Sequence, residues 1–303
     1  MTLLDTFAPR HSRRRMLLKM ARDFIYRPAS IRGRLSSVNF HNARVAHALR
    51  IHCPACGNDA GVFYDYPDLL LRRAHGIGIL RETLNCRSCG ASMRDRQVAL
   101  GLLKVFAERT GRELPDLAAW RRGEAPGLRI LDTDSFSSIS KVLRGMPGYI
   151  HSQYKPLLPN GERLIDGSIN VNLLDMPFDE GGFDVILSSD VMEHVPDDER
   201  AHREILRCLA NSGVYIFTVP YDPTLRVTRR LAFPAGGQTG TFLIERHIHG
   251  DPHAASGILA YRIYGADFLD ELRSIGYQPQ FLEINSSTAG IFGGDLFLAR
   301  RET

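Results

Sequence analysis

Residues 175–197 read Asp175-Met-Pro-Phe-Asp-Glu-Gly-Gly-Phe-Asp-Val-Ile-Leu-Ser-Ser-Asp-Val-Met-Glu-His-Val-Pro-Asp197. The apolar run at 183–187 predicts a strand with both faces covered, as in a parallel sheet. Asp197 offers a side-chain cap for a helix reaching residue 209, and 213–219 supplies the next strand. Working outward, 128–131 and 148–152 read as strands separated by a short helix at 139–144. A later helix at 266–274 closes at Gly276, and strands near 280–284 and 295–299 end the pattern. Repeated β-α-β units of this length predict an α/β, Rossmann-like, mainly parallel sheet with helices on both faces. Ligands of such sheets bind outside the carboxyl ends of the strands.

Upstream the pattern is different. The chain has 303 residues, 44% hydrophobic and 24% charged, with a net charge of +4. Residues 1–50 hold eleven of the 38 bases but only Asp5 and Asp23 of the 34 acids, giving +9 there and −5 beyond. This organisation predicts a basic arm at 1–50, a cysteine module at 51–92, a connecting helix and linker at 93–127, and an α/β domain at 128–303. Val98, Leu102, Val105 and Phe106 have helical spacing before Gly111, while Pro115 to Gly127 has the composition of a linker. No apolar run reaches the length of a membrane span, and no secretory leader is legible, so a cytoplasmic protein is expected. The basic arm, interleaved with Leu17, Leu18, Met20, Phe24 and Ile25, suits an anionic membrane surface or a partner protein; a solvated extension is the simpler alternative. Nucleic acid is a weaker expectation, since no aromatic RNA-binding motif accompanies the charge.

Cys53-Pro-Ala-Cys56-Gly and Cys86-Arg-Ser-Cys89-Gly are near-copies. Two thiolates spaced by two residues grip one metal from a tight turn, and two such turns complete a tetrahedral S4 site that favours zinc. Four protein ligands leave no open position, so the expected zinc is structural and the module a small ribbon. Disulfides or a redox pair are the alternatives. Cys208, among Ile205, Leu206 and Leu209, reads as a buried small hydrophobe.

From residue 128 the chain resembles the class I methyltransferases, specifically the type 11 subgroup. The stretch 175–197 carries the likeness, and it continues through Arg203-Glu-Ile-Leu-Arg-Cys-Leu-Ala-Asn-Ser-Gly-Val-Tyr-Ile-Phe-Thr-Val-Pro220 and Tyr264-Gly-Ala-Asp-Phe-Leu-Asp-Glu-Leu-Arg-Ser-Ile-Gly-Tyr277. The resemblance implies S-adenosyl-L-methionine as cofactor, placed along Asp132, Asp134, Gln153, Asn172, Leu173 and Ser189. The sequence departs from the family at that site. Asp134, Phe136 and Ser138 stand where glycines are expected, Gln153 where an acid grips the ribose, and Asn172 where an aspartate meets the adenine. Binding weaker than the family's is therefore expected.

Methyl transfer rests on placement, and transfer to a hydroxyl also gains from a base, for which histidine is suited. His194 and Asp190 follow the 183–187 strand. His247 and His249 lie in the long 221–261 segment, where the family inserts acceptor-binding elements. The alternative roles are turn hydrogen bonding for His194, capping for Asp190, and polar packing for the His-x-His pair. Together with the resemblance, these residues make O-methylation of a glycan or other polyhydroxyl acceptor the preferred expectation. RNA methylation and a catalytically silent methyltransferase-fold scaffold are the competing expectations.

Overall fold

The computed structural model describes residues 50–59, 61–64, 80–123, 127–234, 241–244, 247–249 and 257–302. Most of the basic arm, residues 1–49, lies outside the described residues. The chain divides into two compact units. The first comprises Met1–Ala125, Phe136–Leu143 and Glu283–Gly294, and the second Pro126–Ser135, Arg144–Leu282 and Asp295–Thr303. Among the described residues no helix is long and apolar enough to cross a membrane.

In the first unit, strand β1 (Val62–Tyr64), helix α1 (Leu80–Thr83) and strand β2 (Leu84–Cys86) precede the long helix α2 (Met93–Thr110) and the short helix α3 (Leu117–Arg122). Strands β1 and β2 pair antiparallel, with Val62 opposite Cys86. Helix α2 starts with a reciprocal capping box between Ser92 and Asp95 and ends at Gly111 in the left-handed conformation, φ 67°. Val98, Leu102, Val105 and Phe106 are all buried, as their spacing predicts. The linker expected at Pro115 to Gly127 is instead partly helical. Asp116 caps α3 by accepting from the Ala119 N–H at 2.7 Å, and Trp120 is buried with its ring 4.4 Å from that of Phe106. A cap and one aromatic anchor override the linker-like composition.

The second unit is built around a seven-stranded sheet. Its strands are β3 (Ile130–Asp132), β4 (Tyr149–Gln153), β5 (Ile169–Asn170), β6 (Phe183–Ser189), β7 (Leu209–Thr218), β14 (Tyr277–Ser286) and β15 (Ile291–Arg301), ordered β14-β15-β7-β6-β3-β4-β5, with residues 283–286 of β14 and 291–294 of β15 falling in the first unit. Helix α4 (Ser138–Leu143) follows β3 and belongs to the first unit; α5 (Asp198–Cys208) and α6 (Phe268–Ile275) belong to the second. Pairings among β3, β4, β5, β6 and β7 are parallel, whereas β15 runs antiparallel to β7. This is the expected Rossmann-like, mainly parallel sheet. Its order reverses between β3 and β6, the point at which such sheets open a ligand crevice.

The core of this unit follows from the apolar runs of β6 and β7. Ile186, Tyr215, Phe217, Ile205, Leu272 and Phe297 belong to one buried cluster, with Phe217 stacked on Tyr215 at 4.2 Å and on Phe297 at 5.1 Å. Asp197 caps α5 through the Arg200 N–H at 3.0 Å, and Gly276 ends α6 at φ 111°. Cys208 is fully buried, and its burial pushes the thiol up to about 11, as suits a packing residue. Between β7 and β14 the chain forms short paired segments. These are β8 (Arg229–Arg230) with β13 (Arg262–Ile263), β9 (Ala232–Pro234) with β10 (Thr241–Leu243), and β11 (Ile248–His249) with β12 (Ile258–Leu259).

Candidate functional site

The strand register gathers the expected cofactor residues at one edge. Asp132 stands opposite His151 of β4 and Leu187 of β6, Gln153 opposite Asn170 of β5, and Ser189 opposite Thr218 of β7. Asn172 and Leu173 follow β5 after Val171. Asp132 is buried and turned inward: its Oδ1 accepts the Asp134 N–H at 2.9 Å and its Oδ2 the Tyr149 hydroxyl at 2.7 Å. It therefore braces the turn after β3. That turn needs no glycine, because Asp190 is the one non-glycine with positive φ among the described residues. Two hydroxyls of the turn, Thr133 Oγ1 and Ser135 Oγ, are buried without a hydrogen-bond partner. Leaving each unpaired costs about 1–3 kcal/mol, and a polar ligand at the strand ends would supply the missing partners. This donor set fits a nucleoside cofactor.

Gln153 is engaged differently from the sequence expectation. Its Nε2 donates to Ser168 Oγ at 2.7 Å and lies 3.3 Å from a carboxylate oxygen of Asp166. Burial pushes the Asp166 carboxyl up, but hydrogen bonds from Ser168 and the charges of His151 and Arg144 outweigh it, so its pKa falls below the ordinary value. Asn172 shapes its own turn, accepting the Leu174 N–H at 3.0 Å and donating its backbone N–H to Asn160 Oδ1 at 2.9 Å.

At the end of β6, Asp190 adopts φ 51° and accepts the Thr218 hydroxyl at 3.0 Å. A left-handed non-glycine residue is an uncommon conformation, one that aspartate tolerates better than most. The next turn, Met192–His194, presents His194, whose Nδ1 lies 2.8 Å from the Leu259 carbonyl. A carbonyl only accepts, so Nδ1 is the donor of this bond. Nε2 is 3.5 Å from Glu193 Oε1, a carboxyl with 0% exposure. The fully buried Arg262 clamps this turn. Its guanidinium donates to the carbonyls of Met192 (3.0 Å), Val195 (2.8 Å) and Pro196 (2.8 Å) and pairs with Asp198 at 3.2 Å.

The histidine loop reaches the same place. Leu259, the acceptor of His194, is in register with Ile248, which lies between His247 and His249, and the Ala260 N–H donates to the His247 carbonyl at 2.9 Å. The half-buried His247 and the backbone of His249 are thus tied to the strand that fixes His194. Asp251, two residues beyond His249, lies outside the described residues.

In the first unit the four cysteines converge, with all four sulfurs within 4.8 Å of one another. Cys53 and Cys89 are 3.8 Å apart and Cys56 and Cys86 3.9 Å. A tetrahedron of sulfurs about 2.3 Å from zinc has edges of about 3.8 Å, so the donor set fits zinc. Gly57 and Gly90 follow the second cysteine of each pair in the left-handed region, φ 70° and 77°, and return N–H bonds to Cys53 and Cys86. Beside this site Arg96 is fully buried and donates to four carbonyls, those of Leu84, Ala91, Ala289 and Gly290. Arg96, Arg262, Asp166 and Ser168 escaped the sequence reading. For Asp166 and Ser168 the available signal was their position just before β5.

Residues 158–217 match the methyltransferase domain family. That segment contains the 158–168 loop, β5, β6, the His194 turn, α5 and nearly all of β7. A sarcosine/dimethylglycine N-methyltransferase of Halorhodospira halochloris is 48% identical over 46 residues, which cover 15% of this chain and 16% of that protein. The match spans about a sixth of the relative's length. Among solved structures, the chain is similar to a 1,6-didemethyltoxoflavin-N1-methyltransferase of Burkholderia thailandensis bound to S-adenosylhomocysteine (13% identity, 69% and 78% of the two chains, TM-score 0.37). It is also similar to the sugar N-methyltransferase KedS8 of a Streptoalloteichus species (19%, 66% and 88%, TM-score 0.37).

Proposed function

We propose that this chain is an S-adenosylmethionine-dependent methyltransferase acting on a hydroxyl of a glycan or other polyhydroxyl acceptor. The observation that carries the reading is His194. It sits in the turn after β6 with Nδ1 donating to the Leu259 carbonyl, so Nε2 is the nitrogen that would exchange a proton. The match of residues 158–217 to the methyltransferase domain family supports the reaction class.

Asp132, Asp134, Gln153, Asn172, Leu173 and Ser189 would hold the cofactor, which supplies an activated methyl group on a sulfonium when bound. The chain's own part is placement and proton transfer. His194 Nε2 would take the acceptor hydroxyl's proton, with the Glu193 carboxyl beside the charge that forms. Arg262 holds the turn that carries both residues. His247 and His249 offer donors and acceptors for further hydroxyls of the acceptor. In the first unit, Cys53, Cys56, Cys86 and Cys89 would hold a structural zinc, closed to substrate.

Amine methylation is the second reading, favoured by the N-methyltransferase name of the Halorhodospira relative. Calorimetric titration with S-adenosylhomocysteine tests the cofactor. Transfer of labelled methyl to a panel of glycans and small amines then tests the acceptor. Absence of S-adenosylhomocysteine binding would sink the enzyme reading, and transfer to amines alone would replace the hydroxyl by a nitrogen.

A further inference from the structure

In a doubly wound sheet the acid that grips a ribose diol stands at the end of the second strand, about 20 residues past the first turn. Here that place is held by Gln153, which has no charge. The loop before β5 nevertheless brings a carboxylate to the same spot. Asp166 lies 3.3 Å from Gln153 Nε2, and it is exposed at the strand edge. Ser168 fixes both groups, accepting from Gln153 Nε2 at 2.7 Å and donating to Asp166 Oδ1 at 2.6 Å. The Ser168 backbone N–H adds a bond to the same oxygen at 3.1 Å. Two residues back on the same face of β4, His151 is nearly fully buried and its Nδ1 has no hydrogen-bond partner. An unpartnered nitrogen on β4 and a carboxylate aligned at that strand's end make a polar site rather than a packing surface.

We infer that Asp166, aligned by Gln153 and Ser168, supplies the carboxylate that grips the ribose diol of the cofactor. A cis-diol offers two O–H donors, and the pair offers matching acceptors in the Asp166 carboxylate and Gln153 Oε1. The charge missing from β4 is returned by the loop. This assignment rests on the methyltransferase reading and makes a demand that a plain Gln153 site would not. Restoring the acid at 153 alone should not help, because Gln153→Glu sets a second carboxylate within hydrogen-bond distance of Asp166, and like charges that close resist joint ionisation.

The test is calorimetric titration of S-adenosylhomocysteine into the full chain and three variants, Asp166→Asn, Gln153→Glu, and the double variant that moves the charge. Asp166→Asn should weaken binding about tenfold or more, as loss of a charge-assisted hydrogen bond does. Gln153→Glu should fail to tighten it. The double variant, with one carboxylate restored beside an amide, should recover to within about threefold of wild type. Circular dichroism checks that each variant is folded. Wild-type binding with an unaffected Asp166→Asn variant overturns the assignment alone. A folded wild-type chain that takes up no S-adenosylhomocysteine overturns the proposed activity and this assignment with it.

Discussion

His202 lies within α5 inside a box of aromatic rings. The rings of Phe268, Tyr215, Phe217 and Tyr277 are centred 5.7, 5.9, 5.9 and 6.4 Å away, and neither imidazole nitrogen has a hydrogen-bond partner. Burial, with a smaller push from the Arg262 charge, takes its pKa from 6.5 down to about 3. The folded protein thus keeps this ring neutral while the unfolded chain protonates it near its ordinary value. The stability present above the unfolded pKa is lost as pH falls below 6.5 and continues to fall toward 3. Each pH unit in that window costs about 1.4 kcal/mol, so about 2 kcal/mol disappears between pH 7.5 and 5.0 from this residue alone. Leucine is close in volume, favours helix and has no proton to take up. His202→Leu should therefore flatten the pH dependence by about 2 kcal/mol over that range. It should equal or exceed wild type at pH 7.5, since two unpaired nitrogens leave the core. Urea unfolding followed by far-ultraviolet circular dichroism at both pH values measures this difference, and other titrating groups cancel between the two proteins. Parallel losses in wild type and variant, agreeing within about 0.5 kcal/mol, would refute the burial argument.

Purified chain should carry about one equivalent of zinc, and Cys53→Ser or Cys89→Ser should lower it below about half an equivalent with loss of local structure; elemental analysis decides this. Arg96→Met leaves four buried carbonyls without their donor and removes the cation beside a thiolate site. It should cost about 3 kcal/mol or more in urea unfolding, and an effect under about 1 kcal/mol would contradict the clamp. His194→Ala should lower methyl-transfer turnover by on the order of a hundredfold while S-adenosylhomocysteine affinity stays within about threefold. Equal losses in both would make His194 a packing residue.

The sheet was legible because its signals are local. The run Phe183-Asp-Val-Ile-Leu187 reads as a buried strand in any context, Asp197 and Gly276 mark helix ends by their own chemistry, and each CxxCG turn fixes its own geometry. What escaped depends on contacts between distant parts of the chain. Residues 117–122 form a helix inside a linker-like stretch because Asp116 caps it and Trp120 finds Phe106. No periodicity betrays Arg262, whose partners Met192, Val195 and Pro196 lie some seventy residues earlier. Asp166 meets Gln153 only when a loop folds back.

The missing glycines are the point where sequence and structure pull hardest in different directions. Glycine after the first strand serves to permit a left-handed turn and a close approach. Here Asp132 closes the turn through its own carboxylate, bonded to the Asp134 N–H and the Tyr149 hydroxyl, so the left-handed residue is not needed. What the turn leaves unsettled is polar: Thr133 and Ser135 keep buried hydroxyls with no partner. Together these cost a few kcal/mol, and Asp190 adds an uncommon backbone conformation at the neighbouring strand end. A scaffold of no catalytic consequence gains nothing from such costs, whereas a site that binds a polar ligand recovers them on binding. A ligand-binding edge and a silent one thus differ in what they predict. Thermal unfolding discriminates between them: saturating S-adenosylhomocysteine should raise the melting temperature by several degrees, and Ser135→Val, which removes one orphan hydroxyl, should raise the unliganded value while shrinking that shift.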